Sequence, residues 1–259
     1  MIQQPTLITA LYNINRENNG DGRKWVEYLE WFASTLQIKL PMAIFIPKEL
    51  HTYVLEHRPH ELMHITYITI MEFTEIPFYK YYENIKNILD SDIYKQKITH
   101  PNRVECKLPE YNIIQYSKFG WLKQISEINP FDSNKFFWID AGISRFIDTK
   151  ANRKLNINID DKFIIQHNII LYNYSINDNY LWDSQCLLCG TVFGGSSYII
   201  KKMETMITNE FENLINKGWV NNEQILLAYL YNKNKELYNL ICNNTNKHLI
   251  LFDYLFSTF

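Results

Sequence analysis

The sequence predicts an α/β fold, a central sheet flanked by helices, on three observations. The run Phe136-Phe137-Trp138-Ile139 is apolar throughout, as in a strand buried on both faces, and it stops abruptly at Asp140-Ala141-Gly142. Near the N-terminus a short apolar run, Thr6 to Tyr12, leads through a polar loop into a helical pattern, the start of a βα unit. Short apolar runs and helical stretches then continue with no internal repeat, low-complexity tract or linker. One domain over residues 1–259 is the expectation.

Composition supports a folded core and narrows the partners. The 259 residues are 46% hydrophobic and 15% aromatic, enough to fill a core of that size. A formal net charge of -2 gives no strongly basic balance that would point to nucleic acid, while leaving room for a local basic pocket. Met1 to Pro5 lacks a basic leader region, and the apolar piece after it is too short for a signal or a membrane span. A soluble, cytoplasmic protein is therefore expected. Cys186 and Cys189 have CxxC spacing without a second pair at zinc-site spacing. They read first as apolar strand packing, with redox or metal roles behind it.

In chain order, Thr6 to Tyr12 reads as the first central strand and Asn13 to Gly22 as a loop. Trp25, Tyr28, Leu29, Phe32 and Leu36 recur at helical spacing within Arg23 to Leu36. Met42 to Ile46, between two prolines, is a second strand. His51 to Pro59 is helical or irregular, Thr66 to Phe73 a third strand, and Phe78 to Leu89 helix-like. Ser91 to Pro109 is polar with two prolines and reads as a loop. A helix from Tyr111, ending before Asn129-Pro130, leads into the strand that stops at Asp140. Phe163 to Tyr174 is strand-like. Cys186 to Phe193 is another strand, closed by Gly194-Gly195 before a helix over Ser197 to Ile215 that Lys217-Gly218 ends. A helix follows over Glu223 to Tyr231. The apolar tail, His248 to Phe259, is expected to pack back on the body.

Asp140 is the first candidate site residue. A carboxylate at the carboxyl end of a buried strand, followed by two small residues, either caps the next turn or stands beside a ligand. Open α/β sheets hold their ligands in that crevice. The segments TLITALYNINR (Thr6 to Arg16), RKWVEYLEWF (Arg23 to Phe32), SKFGWL (Ser117 to Leu122), INPFDSNKFFWIDAGISRF (Ile128 to Phe146), TVFGGSS (Thr191 to Ser197) and NNEQILLAYLY (Asn221 to Tyr231) then carry a resemblance. Through them the chain resembles the HtrL/YibB-like family and, more broadly, GT-A-type glycosyltransferases. WIDAGISRF is the most specific part.

The resemblance implies a Rossmann-like GT-A fold with a mixed central sheet. It implies transfer of a sugar from a nucleotide-sugar donor, most often a UDP-sugar with Mn2+ or Mg2+, to a glycan or protein acceptor. An Asp-x-Asp element holds the metal against the diphosphate in such enzymes. Asp140 matches the first acid, but Gly142 stands at the second, which puts metal dependence in question, since hard divalent ions need several oxygen ligands. His248 is the candidate additional ligand.

Transfer passes through an oxocarbenium-like centre and leaves negative charge on the departing diphosphate. Arg16, Arg23, Lys118 and Arg145 are the candidate cations. Thr9, Ala10 and Tyr12 are placed around the base of the donor. Glu223, in the first turn of a helix where an ionised carboxylate is favoured, is the candidate general base beside Asp140. Gly194 and Gly195, without Cβ atoms, leave room for the acceptor or simply make a tight turn. Two other readings stand beside this one: a non-catalytic nucleotide-sugar or glycan binding module of the same fold, and a nucleotidyltransferase. The latter lacks its dense glycine-basic loop, and a Walker-type phosphate loop is absent.

Overall fold

The computed structural model describes residues 4–19, 22–155, 160–168 and 174–258. A seven-stranded sheet forms the centre, in the order β3-β2-β1-β4-β7-β6-β8. Its strands are β1 (Thr6–Ala10), β2 (Met42–Ile46), β3 (Thr66–Ile70), β4 (Lys135–Ile139), β6 (Phe163–His167), β7 (Leu188–Ser196) and β8 (Tyr238–Cys242). β5 (Arg153–Leu155) and β9 (Phe256–Thr258) pair separately, antiparallel. β3, β2, β1 and β4 run parallel. β7 is antiparallel to both β4 and β6, and β8 is parallel to β6. The sheet is mixed, with helices on both faces, so the expected fold class is the observed one.

The period of two along each strand explains why both faces need cover. Ile8, Ala43, Phe45, Phe136 and Trp138 join one apolar cluster, while Leu7, Met42, Ile44, Phe137 and Ile139 join the other. The first face is covered by α3 (Tyr82–Asp90), α5 (Pro109–Ile128), α6 (Ser197–Ile215) and α7 (Glu223–Lys233). The second is covered by α1 (Trp25–Thr35), α2 (His51–His57) and α8 (Leu251–Leu255). No helix among the described residues is long and apolar enough to cross a membrane. All four cysteines are free, and Cys189 is buried within β7, as strand packing requires.

Several boundaries differ from the sequence expectation. The stretch 91–109 contains α4 (Asp92–Lys97), whose N-terminus Ser91 caps by accepting from the Tyr94 amide, so two prolines did not make it all loop. α5 starts at Pro109, two residues before the expected Tyr111 and where a missing amide costs nothing, and it ends at Ile128 as expected, with Asn129 in the left-handed region. Gly194 and Gly195 do not close a strand: β7 continues through them, opposite Phe137 and Phe136. Added Cβ atoms explain the choice. At Gly194 one would sit 2.1 Å from the Phe136 carbonyl oxygen, and at Gly195 2.5 Å from Ile199. The strand expected over Phe163 to Tyr174 runs to His167, and residues 169–173 lie outside the described residues.

Candidate functional site

The strand order reverses direction at β1: the chain moves outward from β1 to β2 and β3, then returns to place β4 on the other side of β1. At such a switch point the connections leave in opposite directions, and a crevice opens beyond the carboxyl ends of the strands. A cavity of about 640 Å³ lies there. Its walls come from the residues after β1 (Leu11 to Ile14), the residues after β4 (Asp140 to Gly142), and the start of β7 (Cys189 to Thr191). Arg23, Trp25 and Tyr28 come from the start of α1, and Tyr111, Gln115 and Lys118 from one face of α5. Asn222 and Gln224 at the start of α7 and His248 in the tail complete it.

The floor is a buried ion cluster. The Lys118 ammonium, 2% exposed, lies 3.1 Å from Asp140 Oδ1 and 3.0 Å from Glu223 Oε1, and donates to the Gly190 carbonyl at 3.1 Å. An ammonium taken out of water costs several kcal/mol unless its charge and its protons are met. Here two carboxylates and a carbonyl meet them. Burial on its own lowers the Lys118 pKa, but Asp140 and Glu223 outweigh it and hold the ammonium above its ordinary range. Asp140 Oδ1 also accepts from Trp138 Nε1 at 2.8 Å, and the Asp140 amide donates to Thr191 across the strands at 3.0 Å. Burial pushes the Glu223 carboxyl up, and Lys118 pulls it back only in part. Glu223 Oε2 is buried and has no hydrogen-bond partner among the described residues.

The walls are basic. Arg16, Arg23, Arg103, Lys118 and Arg145 line the cavity against the carboxylates of Glu17 and Asp140, in a chain of net charge -2. Arg16 donates to the Tyr28 hydroxyl at 2.8 Å and lies 5.2 Å above the Tyr111 ring. Arg145 donates from Nε to the Gly142 carbonyl at 3.0 Å and stacks 4.4 Å from the Trp31 ring. Desolvation first, and then the like charge of Arg23, lower the Arg145 pKa. His248 packs on Phe146 at 4.5 Å between ring centroids. Its pKa is lowered by desolvation and then by Arg145.

The structure thus gathers Ala10, Tyr12, Arg16, Arg23, Lys118, Asp140, Arg145 and His248 around one cavity. Other candidates fall elsewhere. Thr9 is fully buried in β1 and does not line the cavity. Tyr12 is 6% exposed, stacks on Trp121 at 5.8 Å, and donates to the Met71 carbonyl, so most of its ring belongs to the core. Gly194 and Gly195 sit at the far end of β7, where close strand packing occupies them. Glu223 lies beneath the cavity wall, its carboxylate held by Lys118, while its neighbours Asn222 and Gln224 line the cavity. Sequence reasoning passed over Tyr111 and Gln115, although their spacing with Lys118 puts all three on one helical face.

A divalent metal fits this donor set poorly. Among the described residues, no three His, Cys, Asp or Glu side chains converge so as to hold a metal ion. Asp140 Oδ1 is already engaged twice, by an ammonium and by an indole N–H. One remaining Asp140 oxygen and the His248 ring would leave most of the six or so ligands of a hard cation to water and the diphosphate, a weak site.

The chain matches the model of the HtrL_YibB family, described as a bacterial protein of unknown function, over residues 3–254. No curated protein matches it. Among solved structures it is similar to the apo form of mouse xyloside xylosyltransferase 1, at 8% identity and a TM-score of 0.44, covering 92% of this chain and 84% of that one. It is also similar to the Mn/GDP form of core-mannan synthase A from Aspergillus fumigatus, at 11% identity and a TM-score of 0.46, covering 92% of this chain and 72% of that one. A third likeness is to the PaToxG glycosyltransferase, at 8% identity and a TM-score of 0.35, covering 89% and 69%.

Proposed function

The chain belongs to the HtrL_YibB family, and we propose that it is a glycosyltransferase. It moves a sugar from a nucleotide-sugar donor, a UDP-sugar, to a hydroxyl of a glycan or protein acceptor. The observation that carries this reading is the basic cavity at the switch point between β1 and β4, with Asp140 and Lys118 at its floor. A dianionic diphosphate matches that charge, and the cavity volume of about 640 Å³ suits a ligand of nucleotide size.

In the reaction an acceptor oxygen bonds to the anomeric carbon as the bond from that carbon to the diphosphate oxygen breaks. The electron pair leaves with the diphosphate. Fixed cations beside the leaving group, Arg16, Arg145 and Lys118, stabilise the growing charge without reorganising. The acceptor proton needs a base if the anomeric centre inverts. With Glu223 held behind Lys118, the carboxylates on the cavity wall are Asp140 and Glu17. Glu223 acts as a positioning residue for Lys118.

The test is release of nucleoside diphosphate from UDP-glucose, UDP-galactose, UDP-N-acetylglucosamine and GDP-mannose, with and without added glycans. Release from a UDP-sugar is expected, falling on the order of a hundredfold in Asp140→Asn. Tight donor binding with no release from any donor would favour a binding module instead. The engagement of Asp140 and Glu223 with one lysine is the feature that gives this second reading weight. Neither binding nor release ends both readings.

A further inference from the structure

The position of Gly142 carries more than a missing acid. It lies two residues after Asp140, at the position of the second acid in the Asp-x-Asp element that the resemblance implies. A Cβ built on Gly142 would meet Arg145 Nε at 3.3 Å and a terminal Arg145 nitrogen at 3.5 Å, with Trp31 at 3.4 Å on the other side. The side of Gly142 on which a side chain would begin is therefore bordered by a guanidinium. That guanidinium is not loosely placed: it is stacked on Trp31 and tied to the Gly142 carbonyl. On the other side of Asp140, the Lys118 ammonium takes Oδ1 at 3.1 Å. Asp140 thus has a cation of the chain's own at one oxygen, and a second stands where its partner acid is absent.

We propose that Arg145 replaces the divalent cation, binding the donor diphosphate directly by its planar fork, with Lys118 as a second resident charge behind Asp140. Three physical points favour this. A guanidinium matches two phosphate oxygens in a bidentate geometry that a single ammonium does not. Arg145 shares the cavity wall with Arg16 and Arg23; burial first, and then these like charges, disfavour its charged form, and an anion among the three relieves the repulsive part. The Gly142 backbone carbonyl and Trp31 pre-orient the group, so little freedom is lost on binding. A larger side chain at Gly142 would press directly on this guanidinium.

The inference rests on the nucleotide-sugar reading, and one titration separates the two. UDP is titrated into the protein by calorimetry, once in EDTA and once in millimolar manganese, with Arg145→Ala and Arg145→Lys in parallel. Affinities in EDTA and manganese should agree within about twofold, since no new ligand is supplied by the ion. Arg145→Ala should lose at least about tenfold, the loss of one to two charge-assisted hydrogen bonds. Arg145→Lys should lose less, keeping charge without the fork. Melting curves verify that each variant folds; if Arg145→Ala does not, Arg145→Lys and the wild-type comparison decide. UDP binding only with manganese overturns this inference and leaves the glycosyltransferase reading standing. Binding in EDTA that Arg145→Ala and Arg145→Lys leave unchanged also overturns it. No UDP binding under either condition overturns both.

Discussion

At the scale of single residues, Lys118 is the most consequential side chain. Its charge is matched from two carboxylates that approach from β4 and α7. Lys118→Met leaves Glu223 buried without its counter-ion, and a loss of about 3–5 kcal/mol is expected in urea unfolding. Adding Glu223→Gln removes the stranded charge, so the double variant should be less destabilised than the sum of its parts. Simple additivity would mean the pair is not coupled. His248 gives a second, pH-dependent outcome. Burial and then Arg145 lower its pKa, so the folded chain binds that proton less readily than the unfolded chain. Its contribution to stability is present above the unfolded value of about 6.5 and is lost as pH falls through the lower folded value. Melting temperature should therefore fall below pH 6.5 more steeply in the wild type than in His248→Gln. Parallel curves would place His248 outside any such linkage.

At the scale of elements, two glycines separate packing from backbone conformation. Gly194 is in an extended strand, and an added methyl meets the neighbouring strand's backbone at 2.1 Å. The strand must shift, so Gly194→Ala should cost about 1–3 kcal/mol or more. Gly218, after α6, has φ +75 and nothing within 4 Å of an added Cβ. Gly218→Ala meets only the left-handed penalty, about 1–2 kcal/mol. Urea midpoints of the two variants test this order, and a Gly194→Ala variant as stable as wild type would contradict the tight β4–β7 contact. The same elements show how far the sequence could be read. The β4 run and its stop at Asp140 were legible because an unbroken apolar run with a polar end fits a buried strand and little else. The continuation of β7 through Gly194-Gly195 was not, because glycines signal a turn and a close strand contact equally well.

At the scale of the whole molecule, the cavity joins residues from the β1 loop, α1, α5, β4, β7, α7 and the tail. A ligand that binds only this assembled arrangement must stabilise the folded chain. At UDP a hundredfold above its dissociation constant, the gain is about 2.7 kcal/mol, which for a chain of this size raises the melting temperature by roughly 5–10 °C. The shift should shrink as salt rises, because the cavity arginines Arg16, Arg23 and Arg145 are partly open to solvent and are screened over about 8 Å at physiological ionic strength. A shift indifferent to salt would argue that binding is not centred on the phosphates.

By itself the sequence determined the α/β class and the buried strand that stops at Asp140, and it singled out several of the residues that meet at the cavity. The class and the strand follow from local pattern, that is buried runs, helical spacing and a carboxylate at a strand end, whereas Arg16, Lys118, Arg145 and His248 came through the family resemblance. It also held the helical face that carries Tyr111, Gln115 and Lys118. Only the tertiary structure decided that Glu223 turns inward to Lys118, 105 residues away in sequence, and that Arg145 fills the space beside Gly142. Such pairings depend on which charges are buried together once the sheet has closed, and burial is a property of the packed whole. A first-turn glutamate looks the same in sequence whether it faces a ligand or a lysine beneath the wall.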